Sequence, residues 1–418
     1  MPPIDPQLDR DFAIDVVRRL RAGGYEALWA GGCVRDRLMG QTPKDYDVAT
    51  SAVPDQVRDA FGKRRTLAIG AAFGVITVLG PKGAGQIDVA TFRRDAAYSD
   101  GRHPDAVSFS DAEHDAQRRD FTINGLFYDP LAERVIDYVG GEADLARRVI
   151  RAIGDPLARI AEDKLRMLRA VRFAARFDFA IDEPTRSAIE QQARELIIVS
   201  AERIAAELRL ILTHSTRTRG LERLASTGLL EVVLPECAPL LQSRDQWSRC
   251  VATLAALDSP TFPMSLAVLL RDLQFSHPRT DLPQIVFERW KLSTDELDGV
   301  RKLLREESLI RTASLQPWPQ LQRILIAPRS DELLGYCQAV AQVLDGNTAE
   351  IDFCRAKLAL PTEQLNPPPL ITGDDLKRLG LPPGPAYREL LDAVRDAQLD
   401  QRLATRADAL AFIQRSPR

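Results

Sequence analysis

Paired cysteines are the first thing this sequence does without. Its 418 residues hold five cysteines, Cys33, Cys237, Cys250, Cys337 and Cys354, an odd number scattered with no CxxC spacing. That usage argues against a disulfide framework and a zinc site, and for a reducing compartment. No stretch reaches the ~18–20 uncharged apolar residues of a membrane span. The opening, "MPPIDPQLDRDFAID", is acidic and lacks the apolar run of a signal peptide. The expectation is a cytoplasmic protein with no membrane partner. An excess of positive charge is also missing, because the formal net charge is −3. Bulk charge therefore names no polyanion, and DNA is not expected as a partner.

What remains is ordinary globular material, 45% hydrophobic and 28% charged, in a chain long enough for about two to four domains. Charge is distributed unevenly, however. From Arg147 to Arg176 there are nine Lys/Arg against three Asp/Glu, in a stretch with helical periodicity. A solvated helix face is the plain explanation of such a run, and a phosphate-binding face the functional one.

The first ~140 residues carry short β-branched or aromatic runs bounded by Gly, Pro or Asp: "GYEALWAGG", "KDYDVAT", "FGVITVLG", "GQIDVATF", "FTINGLFYD" and "RVIDYVGG". Beyond ~145 the pattern becomes helical and stays so, through "AEDKLRMLRAVRFAARF", "SAERIAAELRLILTH" and "DELDGVRKLLREESL". The fold class expected is α+β, a head with a mixed sheet followed by a helical remainder. A Pro-rich break, "LPTEQLNPPPLI", sets off a last helical segment.

Within the head, "GGCVRDRLMGQTPKDYDVAT" places Gly31 and Gly32 before a short helix and then Asp45 and Asp47 on a strand. Glycine lets backbone N–H groups approach an anion, and a helix N-terminus favours phosphate. Arg35 would add a charge-assisted contact. On a strand, Asp45 and Asp47 share a face, since side chains repeat every two residues. Two adjacent carboxylates repel unless a cation lies between them, and Mg²⁺ favours a few carboxylates together with substrate phosphate oxygens. Asp88, in "GQIDVATFRRD", offers a third carboxylate on a neighbouring strand. Taken singly, a glycine pair is a common turn and DxD a common strand end; in this order they point to nucleotidyl transfer. A Rossmann reading lacks its G-x-G-x-x-G spacing.

These residues closely resemble the signature of the class II tRNA nucleotidyltransferases, the CCA-adding enzymes, and of the related bacterial poly(A) polymerases. "IDVATFRRDAAYSDGRHPDAVSF" resembles that family's third-carboxylate strand and flexible loop. "HDAQRRDFTINGLFYD" is similar to its ribose-reading motif, with Arg118, Arg119 and Asp120 in register. "DYVGGEADL" resembles the hinge motif, "AEDKLRMLRAVRFAARF" the nucleobase-reading motif and "SAERIAAELRLIL" the fifth motif. The resemblance implies a polymerase-β-like head over 1–142, a nucleobase-reading neck over 143–200, a body over 201–360 and a tail over 361–418, the last two binding tRNA. It also implies Mg²⁺, a tRNA 3′ end, and CTP and ATP as substrates. Asp163 and Arg166 lie three apart on an expected helix and so share a face. An aspartate accepts from the exocyclic amine of C or A, while an arginine donates to the ring acceptors, so the pair disfavours U and G. Arg169 and Arg172 continue that stripe, and with Arg119 carry nucleotide contacts by resemblance. An i,i+3 surface ion pair is the bland reading of "EDKLR".

Three products remain open: CCA, A alone, or poly(A). The poly(A) polymerase relatives carry a basic element where this chain reads "AIGAAFGVITVLG", and the loop before Arg118 shows no deletion. Full CCA addition is therefore favoured, and an RNA-binding protein without catalysis is the remote rival. Gly125 stands in "FTING" where the family has Ala, which suggests a slightly looser turn. In "SLAVLLRDLQ", Arg271-Asp272 replaces the His-Asp pair of a metal phosphohydrolase, so that helix is read as structural.

Overall fold

The structure, a computed structural model, describes residues 5–95, 107–381 and 384–415. The chain divides into two compact units, 1–235 and 236–418.

The first unit opens on α1 (Pro6–Ala22), capped by the Asp5 carboxylate, which accepts from the Gln7 and Leu8 amides, with Pro6 in the first turn. There follow β1 (Ala27–Ala30), α2 (Gly32–Leu38), β2 (Asp47–Thr50) and α3 (Pro54–Phe61). The strands β3 (Thr66–Leu67), β4 (Val75–Leu79) and β5 (Gln86–Thr91) come next, then a hairpin of β6 (Arg93–Asp95) and β7 (Val107–Phe109). After α4 (Ala112–Gln117), β8 (Phe127–Asp129) and β9 (Arg134–Ile136) complete the sheet. Its order is β3-β4-β5-β2-β1-β8-β9, and only the β2–β5 pairing is parallel. All six runs read as strands from sequence thus enter one sheet.

The sheet has two unlike faces, as strand alternation requires. Trp29, Val48, Ile76, Val78, Ile87 and Val89 pack under Val16, Val17 and Leu20 of α1. Leu28, Ala30, Ala49 and Phe127 form the other face, covered in part by Ala112 and Ala116 of α4. Asp47 lies on this second face, two residues before Ala49, where α4 leaves the sheet open.

The "hinge" stretch is a tightly capped turn leading into α5 (Gly141–Arg147). The Asp137 carboxylate accepts from the amides of Val139, Gly140, Gly141 and Glu142. Gly140 sits at φ +79°, and a Cβ on Gly141 would lie 2.2 Å from the Thr122 carbonyl oxygen. The helices α6 (Pro156–Glu162), α7 (Arg166–Phe177), α8 (Glu183–Gln192) and α9 (Ala201–Leu212) follow.

One expectation is overturned here. The helix expected across "AEDKLRMLRAVRFAARF" breaks at residues 163–165, so Asp163 and Arg166 do not share a helix. Asp163 is extended (φ −146°, ψ 104°); its carboxylate accepts from Leu165 N at 3.1 Å and its carbonyl from Arg166 N at 3.0 Å. An aspartate that can satisfy the amides of a new first turn competes with helix continuation.

Gly125 corrects a second expectation. A Cβ there would meet Val139 Cγ2 at 2.7 Å and Ile153 Cδ1 at 3.1 Å, so the turn is filled, not loose. Val139 and Ile153 occupy the space an alanine methyl would take. Gly125→Ala should cost about 1 kcal/mol from overpacking, and Gly125→Ala/Val139→Ala should recover most of it; paired thermal melts check both.

The second unit is helical among its described residues. The helix Phe262–Ser276 packs between Thr294–Ile310 and Arg244–Ala256, and Ser330–Leu344 closes the bundle. A smaller core of Ile371, Leu376, Val394, Ala409 and Ile413 gathers the last helices beyond the Pro-rich break.

Candidate active site

A cavity of ≈ 720 Å³ opens in the first unit between the sheet and α7. That is the size of a nucleotide-class ligand pocket. Gly31, Gly32, Asp45 and Asp47 border one part of it, and Arg119, Asp163, Arg166 and Arg169 another. Nine Lys/Arg and five Asp side chains line it, an excess of four positive charges in a chain of net charge −3. A polyanion carrying a bound cation would answer both signs.

At the acidic end Asp45 lies in the bend just before β2, while Asp47 opens the strand. Tyr46 between them is buried, so both carboxylates still turn away from the core. Asp47 pairs in register with Asp88 on β5, which accepts from Thr77 Oγ1 at 2.5 Å. Recession into the cavity, then the charges of Asp45 and Asp88, push Asp47 up to about 6 against the pull of Arg119. The charges of Asp45 and Asp88 thus act on Asp47 together, while Asp88 itself falls outside the cavity lining.

That repulsion is the test of whether a cation belongs there. Among the described residues no three His, Cys, Asp or Glu side chains already converge as they would around one ion. Asp88 is held by Thr77, which leaves Asp45 and Asp47 as the pair that fits a hard divalent cation, with other oxygens to be supplied by substrate or water.

Gly31 makes the turn. It has φ +70°, which side chains other than glycine's rarely adopt, and a Cβ there would lie 2.9 Å from Arg119 Nη1. Its own amide donates to the Leu126 carbonyl at 3.0 Å, so Gly31 shapes the cradle and gives no free donor. The first amides of α2, beginning at Gly32, have no partner inside the helix and remain for an anion. Cys33 beside them is buried, its thiol donating to the Ala30 carbonyl at 3.4 Å, and burial pushes it up to about 12. All five cysteines are buried. We expect iodoacetamide to leave native protein unlabelled and fully active, with five thiols reacting only in denaturant; mass spectrometry counts them.

Arg35 borders the cavity, and three of its five donors are engaged inside the protein. Nε and Nη2 donate to Asp36 Oδ1 at 2.8 and 2.6 Å, and Nη1 to Asn124 Oδ1 at 2.6 Å. Its guanidinium also lies 4.6 Å from the Phe177 ring centroid. Burial lowers its proton affinity against the support of Asp36. Arg35 therefore ties α2 to the neighbouring elements, with one N–H on each of Nη1 and Nη2 beyond these three bonds.

Asn124, which sequence reading passed over, joins two sides of the cavity. It accepts from Arg35 and donates through Nδ2 to Asp120 Oδ1 at 3.0 Å. Arginine can only donate and a carboxylate only accept, so both amide ends are fixed. Asp120 Oδ2 then accepts from Arg169 Nε and Nη2 at 2.9 and 2.7 Å. Burial would raise Asp120, but Arg169, Asn124 and the Phe121 amide hold it below the usual carboxylate range. Arg119 is oriented by Asp115, whose Oδ2 it meets through Nη2 at 2.9 Å, and by the Asn124 carbonyl.

On the cationic side, Asp163 keeps its place although the helix breaks. Its Oδ2 accepts from Arg203 Nη2 at 2.8 Å, and Arg203 lines the cavity. Arg166 is buried, with Nη1 on the Arg159 carbonyl and Glu162 at 2.6 Å each. Arg172 falls outside the cavity lining: Nε donates to Glu207 Oε2 at 2.6 Å, and the guanidinium covers the Phe173 ring at 4.2 Å. Helical geometry explains this. Steps of three residues drift by about 60° each, which turns Arg172 about 120° from Arg166. Arg176, seven residues after Arg169, returns to nearly the same face and does line the cavity. That i,i+7 signal was present in the sequence. Arg203, forty residues from its partner Asp163, left no such signal.

Comparison with known proteins places the chain in a family. Residues 27–151 match the family model described as the poly A polymerase head domain, and residues 178–241 the one described as the probable RNA and SrmB-binding site of polymerase A. The chain is 31% identical to the CCA-adding enzyme of Lactiplantibacillus plantarum over 414 residues, 97% of this chain and 96% of that one. The chain belongs to the CCA-adding enzyme family. The CCA-adding enzyme of Geobacillus kaustophilus is 33% identical over 386 residues, 91% of each chain. The crystal structure of the Bacillus stearothermophilus CCA-adding enzyme in complex with CTP shares 27% identity at a TM-score of 0.75, covering 99% of this chain and 98% of that one. As a member of the CCA-adding enzymes the chain is a nucleotidyltransferase with the family's mixed-sheet head and helical remainder. Among its described residues no helix is long and apolar enough to cross a membrane. Residues 96–106 of the loop that resembles the family's, between Asp88 and Arg118, lie outside the described residues.

Proposed function

We propose that this chain adds C, C and A to the 3′ end of tRNA, without a nucleic-acid template, from CTP and ATP and with release of pyrophosphate. One observation carries the reading: a single cavity joins the carboxylates Asp45 and Asp47 to a cationic wall that holds Asp163 as an acceptor. Asp45 and Asp47 would hold Mg²⁺, with Asp88 flanking them. When bound, a pair of such ions lowers the pKa of the attacking RNA 3′-hydroxyl and offsets charge on the leaving phosphates.

The remaining work falls to the chain itself. The Gly31 turn and the α2 amides from Gly32 onward receive the triphosphate, and Arg119, pinned by Asp115, stands beside them near the ribose. Asp163 accepts from the exocyclic amine of C or A. Arg166 and Arg169 present donors to the base edge from positions fixed by Glu162 and Asp120. Arg172 supports this wall from behind through Glu207 and Phe173. The head is read as 1–142, the neck as 143–200, and the body (201–360) and tail (361–418) as the surfaces that grip tRNA by shape and phosphate, as duplex RNA is read. The setting is cytoplasmic, with neither DNA nor membrane involved.

Purified protein, tRNA lacking its CCA end and labelled CTP test the reading. Incorporation of CMP followed by a single AMP is expected on sequencing the product ends. Absence of CMP incorporation would overturn it, with runs of A pointing to poly(A) polymerase and a lone A to A-only addition.

A further inference from the structure

The second unit carries an arginine-rich face arranged around one exposed aromatic ring. Phe275, near the end of the helix Phe262–Ser276, is 47% exposed, whereas Leu270 and Leu273 of the same helix are buried. Two depressions, ≈ 630 and ≈ 410 Å³, flank it, and Phe275 borders both. Arg249, Arg271 and Arg311 line the first; Arg279, Arg301 and Arg305 line the second. Three aspartates, Asp272, Asp281 and Asp345, oppose these six arginines. The patch is therefore positive on a chain whose net charge is −3.

The arginines divide into two kinds. Arg271 is a fixture: it donates to the buried Glu307 through Nε and Nη2 and to Asp272 through Nη1, and Glu307 also accepts from Tyr336 Oη at 3.1 Å. From there its guanidinium covers Phe275 at 5.1 Å from the ring centroid, holding the side chain in place. Arg301 and Arg311 are paired with Asp281 and Asp345. Arg249 and Arg279, by contrast, make no ion pair among the described residues. Arg305 is engaged only through Nη2, on Glu306 at 3.0 Å, and its side chain is 68% exposed.

A ring anchored from one side by a guanidinium, with unpaired arginines to either side, suits a polyanion that also carries flat apolar faces. Arginine forks match phosphate oxygens, and an aromatic ring stacks on any base. The rigid Arg271–Glu307–Tyr336 network means that the ring is presented without much ordering cost on binding.

We propose that this face binds RNA, stacking one unpaired base on Phe275 with neighbouring phosphates on Arg249, Arg279 and Arg305. The proposal rests on the reading of tRNA as substrate, and the face lies outside residues 178–241, which match the RNA-binding model.

The test titrates full-length protein into a labelled tRNA transcript lacking CCA, at several KCl concentrations. Phe275→Ala and the milder Phe275→Leu should each weaken binding about tenfold with an unchanged salt slope, since stacking releases no counterions. The triple variant Arg249→Gln/Arg279→Gln/Arg305→Gln should flatten the slope of log K against log salt by about two to three, one unit or slightly less per phosphate lost. Thermal midpoints and the KM for CTP should stay those of the wild type. Wild-type affinity and slope in all three variants would overturn the proposal. So would a loss of self-association in sedimentation with RNA affinity intact, which would give the face to a second copy of the chain. Normal RNA binding by the variants alongside wild-type CMP incorporation defeats this proposal and leaves the reaction standing. Weakened binding by the variants, with no CMP incorporation even by the wild type, defeats the reaction and leaves the surface standing.

Discussion

Asp47→Asn is expected to stop nucleotide transfer while making the protein more stable. The two effects share one cause. Asp47 sits recessed beside Asp45 and Asp88, and these surroundings push it up to about 6. A carboxyl whose folded pKa is raised binds its proton more tightly in the native state, so ionising it costs native stability. That cost is absent below the unfolded value near 3.8 and complete above the folded value near 6. A shift of about two units would amount to ~3 kcal/mol in a fully buried group. Asp47 is solvent-accessible, and screening reduces this to about 1 kcal/mol. The neutral variant should therefore melt a few degrees higher at pH 7.5, and the gain should fade as pH falls toward 4. Millimolar Mg²⁺ should raise the midpoint of the wild type by mass action and leave the variant unmoved. Transfer should drop by about 10³-fold or more, because a charge that offsets the transition state is no longer held in place. The idea is sunk by a variant that melts like the wild type at both pH values, or that still responds to Mg²⁺.

The opposite expectation, that neutral variants in the cationic wall lose stability, follows from the same bookkeeping of charge. Arg169 meets Asp120, Arg172 meets Glu207 and Arg203 meets Asp163, so these three cations each have a carboxylate at hydrogen-bonding distance. Removing one partner leaves the other unpaired in a partly buried setting. The cavity thus has an acidic end and a cationic end braced by ion pairs, and only the first gains from binding a cation.

How far all this could be read from the sequence depends on how far apart the partners lie. The Gly31–Asp47 segment was legible because its turn, helix and strand are neighbours along the chain. Six strands of the head, β1, β2, β4, β5, β8 and β9, were legible from their own apolar patterns, whereas the two- and three-residue strands β3, β6 and β7 were not. The sheet order was not, since the parallel pairing of β2 with β5, which sets Asp88 beside Asp47, spans some forty residues and leaves no local mark. Arg172 was assigned to the cavity by counting in threes, and a 3.6-residue turn carries it round to Glu207 while bringing Arg176 to the front. The break at Asp163 was hidden by a sequence whose propensities favour an uninterrupted helix. What broke it is a side chain satisfying Leu165 N, a contact that pattern counting does not see. Asn124 and Arg203 were missed because their roles exist only through Arg35, Asp120 and Asp163, all distant in sequence except Asp120.

Asp163→Ala should change which nucleotides are accepted more than how fast the correct one is used. The carboxylate has two oxygens; one accepts from Leu165 N and the other from Arg203, each keeps a further lone pair, and Asp163 lines the cavity. An exocyclic amine can donate to them, whereas the carbonyl of U or G at that position would face a carboxylate without a proton between them. Loss of the carboxylate removes that repulsion and frees Arg203 to donate to a carbonyl. A well-formed base contact is worth about 1–3 kcal/mol, so incorporation of UMP and GMP relative to CMP should rise about 10- to 100-fold in competition assays. The backbone contact at Leu165 is lost as well, which loosens the start of α7. Asp163→Asn separates the two effects: it keeps an acceptor for Leu165 N and adds an amide donor, so it should admit UTP while losing only the stability that the Arg203 ion pair contributes. Selectivity unchanged in both variants, with folding intact, would place base reading elsewhere in the cavity and leave Asp163 as a cap for α7 alone.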